Sequence, residues 1–125
     1  MPFSGTVAIR AMKDNDYQAT VFAGTTAGLQ AAIDYLAGGK GEVYVGPGTI
    51  SITTPITIAS GCHLRGSGVA ATTLKFPDSY TGSNNDSIIK SSAAVTAVTI
   101  ADLTIDGNRT NISTSNQLYA IRLID

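Results

Sequence analysis

The sequence predicts an all-β chain: a right-handed parallel β-helix (solenoid) with an N-terminal hairpin and one capping α-helix. Three observations lead there. After Lys40, short apolar pairs alternate with turn residues at intervals too short for long hairpins. Helical periodicity occurs in one stretch only, so no second helix is available to cross between the strands of a doubly wound sheet. The parity of the apolar positions also switches: Val98 and Ile100 are even, Leu103 and Ile105 odd. One continuous strand would throw half of these side chains to the wrong face. A bend at Ala101-Asp102 restores a common interior, because Asp tolerates the left-handed region.

The elements follow in order. Val7, Ile9 and Ala11 alternate with Arg10 as in a half-buried strand, and a second alternating run spans Tyr17 to Phe22. Asp14-Asn15-Asp16 lies between them, and its side chains favour turns, so residues 1–24 read as a β-hairpin. Residues 25–39 read as the capping helix, with Leu29, Ile33 and Leu36 on one face and Gln30 and Asp34 turned elsewhere. Thr25 or Thr26 supplies the N-cap, and Gly38-Gly39 the left-handed stop.

Residues 40–125 read as rungs. The inward pairs are Val43/Val45, Ile50/Ile52, Ile56/Ile58, Leu64, Leu74/Phe76, Ile88/Ile89, Val98/Ile100, Leu103/Ile105 and Ile121/Leu123. Gly46-Pro47-Gly48, Thr54-Pro55, Ser60-Gly61, Gly66-Ser67-Gly68 and Asp106-Gly107-Asn108 punctuate them. A second corner is expected through Ala59-Ser60-Gly61. The segments form one structural domain. The chain stops at AIRLID inside an alternating segment, so further rungs are expected downstream of Asp125.

Composition narrows the function. Net charge is −1, and the eight basic residues are scattered rather than gathered into a phosphate-neutralising stripe, which argues against nucleic acid. No run approaches the ~20 apolar residues of a membrane span, and the first residues lack a signal-peptide pattern. Charged residues are 14% of the chain, against roughly 25% in an average soluble domain. Hydroxyl-rich composition of this kind suits extracellular or virion-associated proteins. Cys62 is the only cysteine, so no intrachain disulfide forms, and its apolar neighbours suggest a buried, inert thiol. With one His and one Cys, no zinc set can be assembled.

Two stretches carry a resemblance. TAGLQAAIDYLAGGKGEVYVGPGTISITTPITIASGCHLRGSGVAATTL (26–74) and VTIADLTIDGN (98–108) resemble the N-terminal region of the pectate-lyase-like superfamily. The resemblance implies a β-helix capped by a helix. It also implies a parent that is a polysaccharide lyase, a glycoside hydrolase, an epimerase or a tailspike, the last as a homotrimer. Polysaccharide is the implied partner, and calcium the cofactor of a full-length lyase parent. No cofactor or metal is expected in this chain, because the family's catalytic sites usually fall on later rungs.

The catalytic candidates are Asp102 and Asp106 with Arg109, and Arg122 with Asp125. Two carboxylates near one rung edge can bind a hard cation or serve as acid and base. Turn-forming is the stronger reading for both Asp102 and Asp106. Substrate-binding candidates are Arg65, pointing outward toward an acidic sugar, and Tyr80, in the polar insertion PDSYTGSNNDS, stacking on a sugar ring. Gly66-Ser67-Gly68 lacks the lysine and helix start of a phosphate loop and reads as a turn. The triplets Asn108-Arg109-Thr110 and Asn111-Ile112-Ser113 match a glycosylation pattern that arises easily in such a composition. The leading expectation is the cap and early rungs of a carbohydrate-binding or polysaccharide-degrading protein, inactive alone. The alternatives are a non-catalytic stalk or adhesin, and an antiparallel β-sandwich. Parallel rungs would pair residues roughly twenty apart, whereas hairpins pair near neighbours.

Overall fold

In the computed structural model, residues 7–36, 40–112 and 116–124 are described. Ile9–Lys13 (β1) and Thr20–Phe22 (β2) form the expected antiparallel hairpin, Ile9 opposite Phe22 and Arg10 opposite Val21. The second strand starts later than Tyr17. Asp16 explains why: its carboxylate accepts from Lys13 N at 2.8 Å and from the Tyr35 hydroxyl at 2.9 Å, so the chain is still turning at Tyr17, which is fully exposed. The helix Thr26–Tyr35 (α1) starts at Thr25, whose Oγ1 accepts from Gly28 N at 3.0 Å. Leu29, Ala32, Ile33 and Leu36 are buried. The expected Gly38-Gly39 stop lies outside the described residues; the last turn closes as Leu36 N donates to Ile33 O.

Among the described residues nine strands follow: Gly41–Val45 (β3), Gly48–Ser51 (β4), Ile56–Thr57 (β5), Cys62–Arg65 (β6), Thr72–Lys75 (β7), Asp86–Ala94 (β8), Thr99–Ala101 (β9), Thr104–Asp106 (β10) and Leu118–Ile124 (β11). They pair in parallel as three ladders, β3-β6-β9, β4-β7-β10 and β5-β8-β11. Corresponding apolar residues meet in register: Val43, Leu64 and Ile100; Ile50, Leu74 and Ile105; Ile56, Ile89 and Ile121. Parallel pairing throughout these ladders rules out the antiparallel sandwich. The repeat from Val43 to Leu64 matches the roughly twenty residues expected. From Leu64 to Ile100 it is longer, because the segment around Tyr80 loops out between β7 and β8.

Both expected corners form. Asp102 has φ +59°, between β9 and β10, and Gly61 has φ +84°, between β5 and β6. Side chains from all three ladders and from α1 enter one hydrophobic cluster, with Ile9, Leu29, Ile50, Ile56, Leu64, Leu74 and Ile89 fully enclosed. Each such aliphatic side chain stabilises the fold by ~1.5–3 kcal/mol relative to an exposed one. Ile88 and Ile89 are both buried, so β8 departs from simple alternation.

At one end, all three ladders have a partner for their first strand. β1 runs antiparallel along β3. Thr26 Oγ1 donates to Ser51 O at 2.8 Å and accepts from Thr53 N at 2.9 Å, beside the β4 edge. Gln30 does the same for β5 more completely: Nε2 donates to Thr57 O at 3.0 Å and Oε1 accepts from Thr57 N at 2.8 Å. The side-chain amide thus stands in for the peptide group of a neighbouring strand. At the other end Tyr119, Ile121, Leu123 and Ile124 are 40–47% exposed. The expectation that Ile121/Leu123 face a closed interior is corrected: Ile121 continues the Ile56–Ile89 ladder, but β11 is an edge strand, covered by β8 on one side only.

Candidate functional site

Alternation along the sheet β2-β1-β3-β6-β9 sorts its side chains. Ile9, Ala11, Val43, Val45, Cys62 and Leu64 turn into the core, which leaves Arg10, Met12, Glu42, Tyr44, His63 and Arg65 on the outer face. Register then assembles two rows across the strands, Arg10–Tyr44–Arg65 and Met12–Glu42–His63. Directly paired residues have Cβ atoms ~4.5–5.5 Å apart, so each row is a continuous contact line. A groove of about 400 Å³ is lined by Arg10, Met12, Ala19, Glu42, Tyr44 and Arg65. A second, of about 580 Å³, shares Met12 and Glu42 and extends past His63 to Lys13, Asp14, Lys40 and Thr99.

The first groove is organised around Arg65. Its Nε donates to Glu42 Oε2 and its Nη2 to Glu42 Oε1, both at 3.2 Å, and the guanidinium lies 5.0 Å from the centre of the Tyr44 ring. The Tyr44 hydroxyl is 2.7 Å from Ser67 Oγ, which donates to Val45 O at 3.1 Å. Donating to the Glu42 carboxylate raises the pKa of the Arg65 guanidinium, with the Asp102 carboxylate adding a smaller effect in the same direction. Both members of the ion pair are about two-fifths exposed, so water screens it, and its main effect is orientation. Arg10, by contrast, makes neither an ion pair nor a hydrogen bond to the described residues.

The candidates from sequence are dispersed. Asp102 is exposed at its corner and acts electrostatically on Arg65, while Asp106 lies at the other end of β10. The backbone turns at Asp102 before it enters β10, so the two carboxylates belong to the separate turns that flank that strand. Asp106 Oδ1 accepts from Asn108 N at 2.7 Å, the turn geometry expected of it. Arg109 is in the 3₁₀ turn Arg109–Asn111 and lines a groove with Asn116, Gln117 and Tyr119. Arg122 lies over the Tyr119 ring at 5.9 Å, and Asp125 is outside the described residues. Arg65 does point outward, but as the partner of Glu42 rather than as an open cation.

Tyr80 requires a correction. It is 7% exposed, stacked on Phe76 with centroids 3.9 Å apart, and its hydroxyl donates to Asp86 Oδ2 at 2.6 Å. Burial, then the Asp86 hydrogen bond, pushes its pKa up. The loop around Tyr80 packs onto the apolar body through this ring, so the open stacking surface expected there is absent. Asn108 is buried too, with its amide committed to Phe76 O and Asp78 Oδ1, which removes the Asn108-Arg109-Thr110 triplet as an accessible acceptor. Cys62 is the inert thiol expected: burial pushes it up to about 11. Among the described residues, no group of three or more His, Cys, Asp or Glu is placed to hold a metal ion.

The residues missed from sequence are Arg10, Glu42 and Tyr44. Alternation placed Arg10 on an outer face, but only the pairing of β1, β3 and β6 shows which residues share it.

Comparison with known proteins adds the following. A family model described as rhamnogalacturonase A/epimerase, pectate lyase-like, matches residues 9–119. Among similar proteins, the mannuronan C5-epimerases AlgE1 and AlgE3 of Azotobacter vinelandii are 35% and 34% identical over 98 residues, and AlgE2 of the same organism 35% over 99. Each match covers 70% of this chain and 7%, 5% and 10%, respectively, of the relative. The chain therefore spans a tenth or less of the length of these relatives. No solved structure matches at comparable significance.

Proposed function

The chain belongs to the rhamnogalacturonase A/epimerase, pectate lyase-like family, and from that premise we propose that it is the N-terminal capping and early-rung part of a carbohydrate-binding or polysaccharide-degrading β-helix protein. The observation that carries this reading is the register of the three parallel ladders, whose apolar residues converge on one cluster. Connections between parallel strands of one sheet are right-handed in about 98% of cases, which favours winding the ladders into a single right-handed coil. Residues 1–24 are then the hairpin, 25–39 the cap and 40–125 the rungs of one domain.

A polysaccharide is the assigned partner, supported by relatives whose names make them epimerases of mannuronan. The outer face around Arg10, Tyr44 and Arg65 is its place of contact. An extracellular or virion-associated location accords with a polysaccharide partner. Catalysis is assigned to the remainder of a longer parent, supported by the small share, a tenth or less, of its epimerase relatives that this chain spans; calcium, in a lyase parent, belongs there as well.

The test is incubation of the chain with pectate, alginate and mannuronan. Binding without turnover is expected. Unsaturated products absorbing in the ultraviolet, or a change in uronate configuration seen by NMR, would overturn the assignment of catalysis elsewhere.

A further inference from the structure

We infer that the groove lined by Arg10, Glu42, Tyr44 and Arg65 is a subsite for a carboxylate-bearing sugar, with Arg10 binding the carboxylate and Tyr44 the sugar face. The proposal rests on the polysaccharide reading above and names the ligand chemistry and the residues that select it. Four observations support it.

The first is charge. Arg65 is neutralised in place by Glu42, whereas Arg10, on the same row and lining the same groove, has no such partner among the described residues, so the excess positive charge sits at Arg10. A guanidinium presents a planar fork of donors that matches a carboxylate, and a charge-assisted pair of this kind is stronger than a neutral hydrogen bond. The second is the ring. Tyr44 is directly opposite Arg10 across the β1–β3 pairing, half-buried and held by Ser67 and Arg65, so a rigid apolar plane adjoins the open cation. Sugar rings pack their C–H faces on such planes at low entropic cost.

The third is size: about 400 Å³ lies within the ~300–1,000 Å³ range of small-ligand clefts. The fourth is continuity. The adjoining groove shares Met12 and Glu42 and carries Lys40 and Lys13 beside Asp14; the Lys13 ammonium lies over the Tyr35 ring at 4.6 Å, so Lys40 is the cation that a chain of acidic sugars leaving the first subsite meets. Glu42 faces both grooves, and its pairing with Arg65 offsets its repulsion of an acidic ligand. Arg65 is here a positioning residue, steadying the Tyr44 ring.

The experiment is calorimetric titration of the full chain with a mannuronate trisaccharide and with the neutral mannose trisaccharide, which lacks only the carboxylates. The acidic ligand is expected to bind and the neutral one to bind at least about tenfold more weakly. Arg10→Ala should abolish that preference, Arg10→Lys should keep part of it, and Tyr44→Ala should weaken both ligands while Tyr44→Phe keeps both. Thermal melts of the four variants check that the fold persists, and Arg10, being exposed, is safe to replace. Acidic binding unchanged in Arg10→Ala would overturn the subsite and leave the polysaccharide reading intact. Failure of the unaltered chain to bind either trisaccharide, together with no binding of any longer polysaccharide, would overturn both.

Discussion

Asn108 shows how much one side chain can hold. It sits at φ +54° with its amide donating to Phe76 O at 2.9 Å and Asp78 Oδ1 at 2.7 Å, and its Oδ1 accepts from Asn111 Nδ2 at 2.7 Å. The sequence marked it as a turn residue; that its side chain reaches back to the end of β7 depends on contacts thirty and thirty-two residues away. Asn108→Ala leaves the Phe76 carbonyl unpaired and forces alanine into the left-handed region. A loss of about 2–4 kcal/mol is expected in urea unfolding. Asn108→Gly removes the strain alone and should fall between the two. Cys62 predicts a pH dependence. Its thiol stays protonated in the folded chain up to about 11, whereas an ordinary thiol ionises near 9.0. Between those values the unfolded chain gives up its proton first, so stability falls as pH rises through that window. Tyr80, also raised, adds a fall starting near its ordinary value of 10.0. Alkaline melting curves of Cys62→Ala should lose the earlier part of the decline; an unchanged curve would refute the assignment.

At the level of elements, α1 does two jobs. Its Leu29/Ile33/Leu36 face was legible from period and caps, and those side chains are buried in the core. Its polar side was not legible as anything but solvent-facing. In the fold, Thr26 and Gln30 satisfy backbone groups at the starting edges of two ladders, where unpaired strand edges would recruit other chains. No local signal marks a glutamine as the substitute for a strand, since the need arises from β5, whose place beside α1 is tertiary. Gln30→Ala should cost about 1–3 kcal/mol through the orphaned Thr57 N–H and C=O. Gln30→Glu should recover part of that below its carboxylate titration, where the protonated group keeps a donor and an acceptor; once ionised it faces the Thr57 carbonyl and the Asp34 carboxylate with no proton to donate. Equal stability of Gln30→Ala and the parent chain in denaturant would show that water replaces the bracket without loss.

At the scale of the whole chain, the three ladders differ on their two sides: β3, β4 and β5 are met by β1, Thr26 and Gln30, while β9, β10 and β11 are edge strands among the described residues, with Tyr119, Ile121, Leu123 and Ile124 partly in water. An apolar open edge favours association. Sedimentation velocity of this chain should therefore show association that rises with concentration, and the pair Ile121→Lys, Ile124→Lys should suppress it. A strictly monomeric parent chain at high concentration would contradict this.

The sequence by itself determined the class of the elements and where the chain bends. Apolar parity, turn chemistry and a single helical period are local consequences of backbone geometry, which is why the Asp102 and Gly61 corners could be placed in advance. Tertiary structure alone decided which outward residues share a surface. Arg10, Tyr44 and Arg65 come from three separate strands, and only the inter-strand register, fixed by burial of the opposite face, lines them up. The same long-range packing took Tyr80 out of solvent by giving its ring Phe76 to stack on.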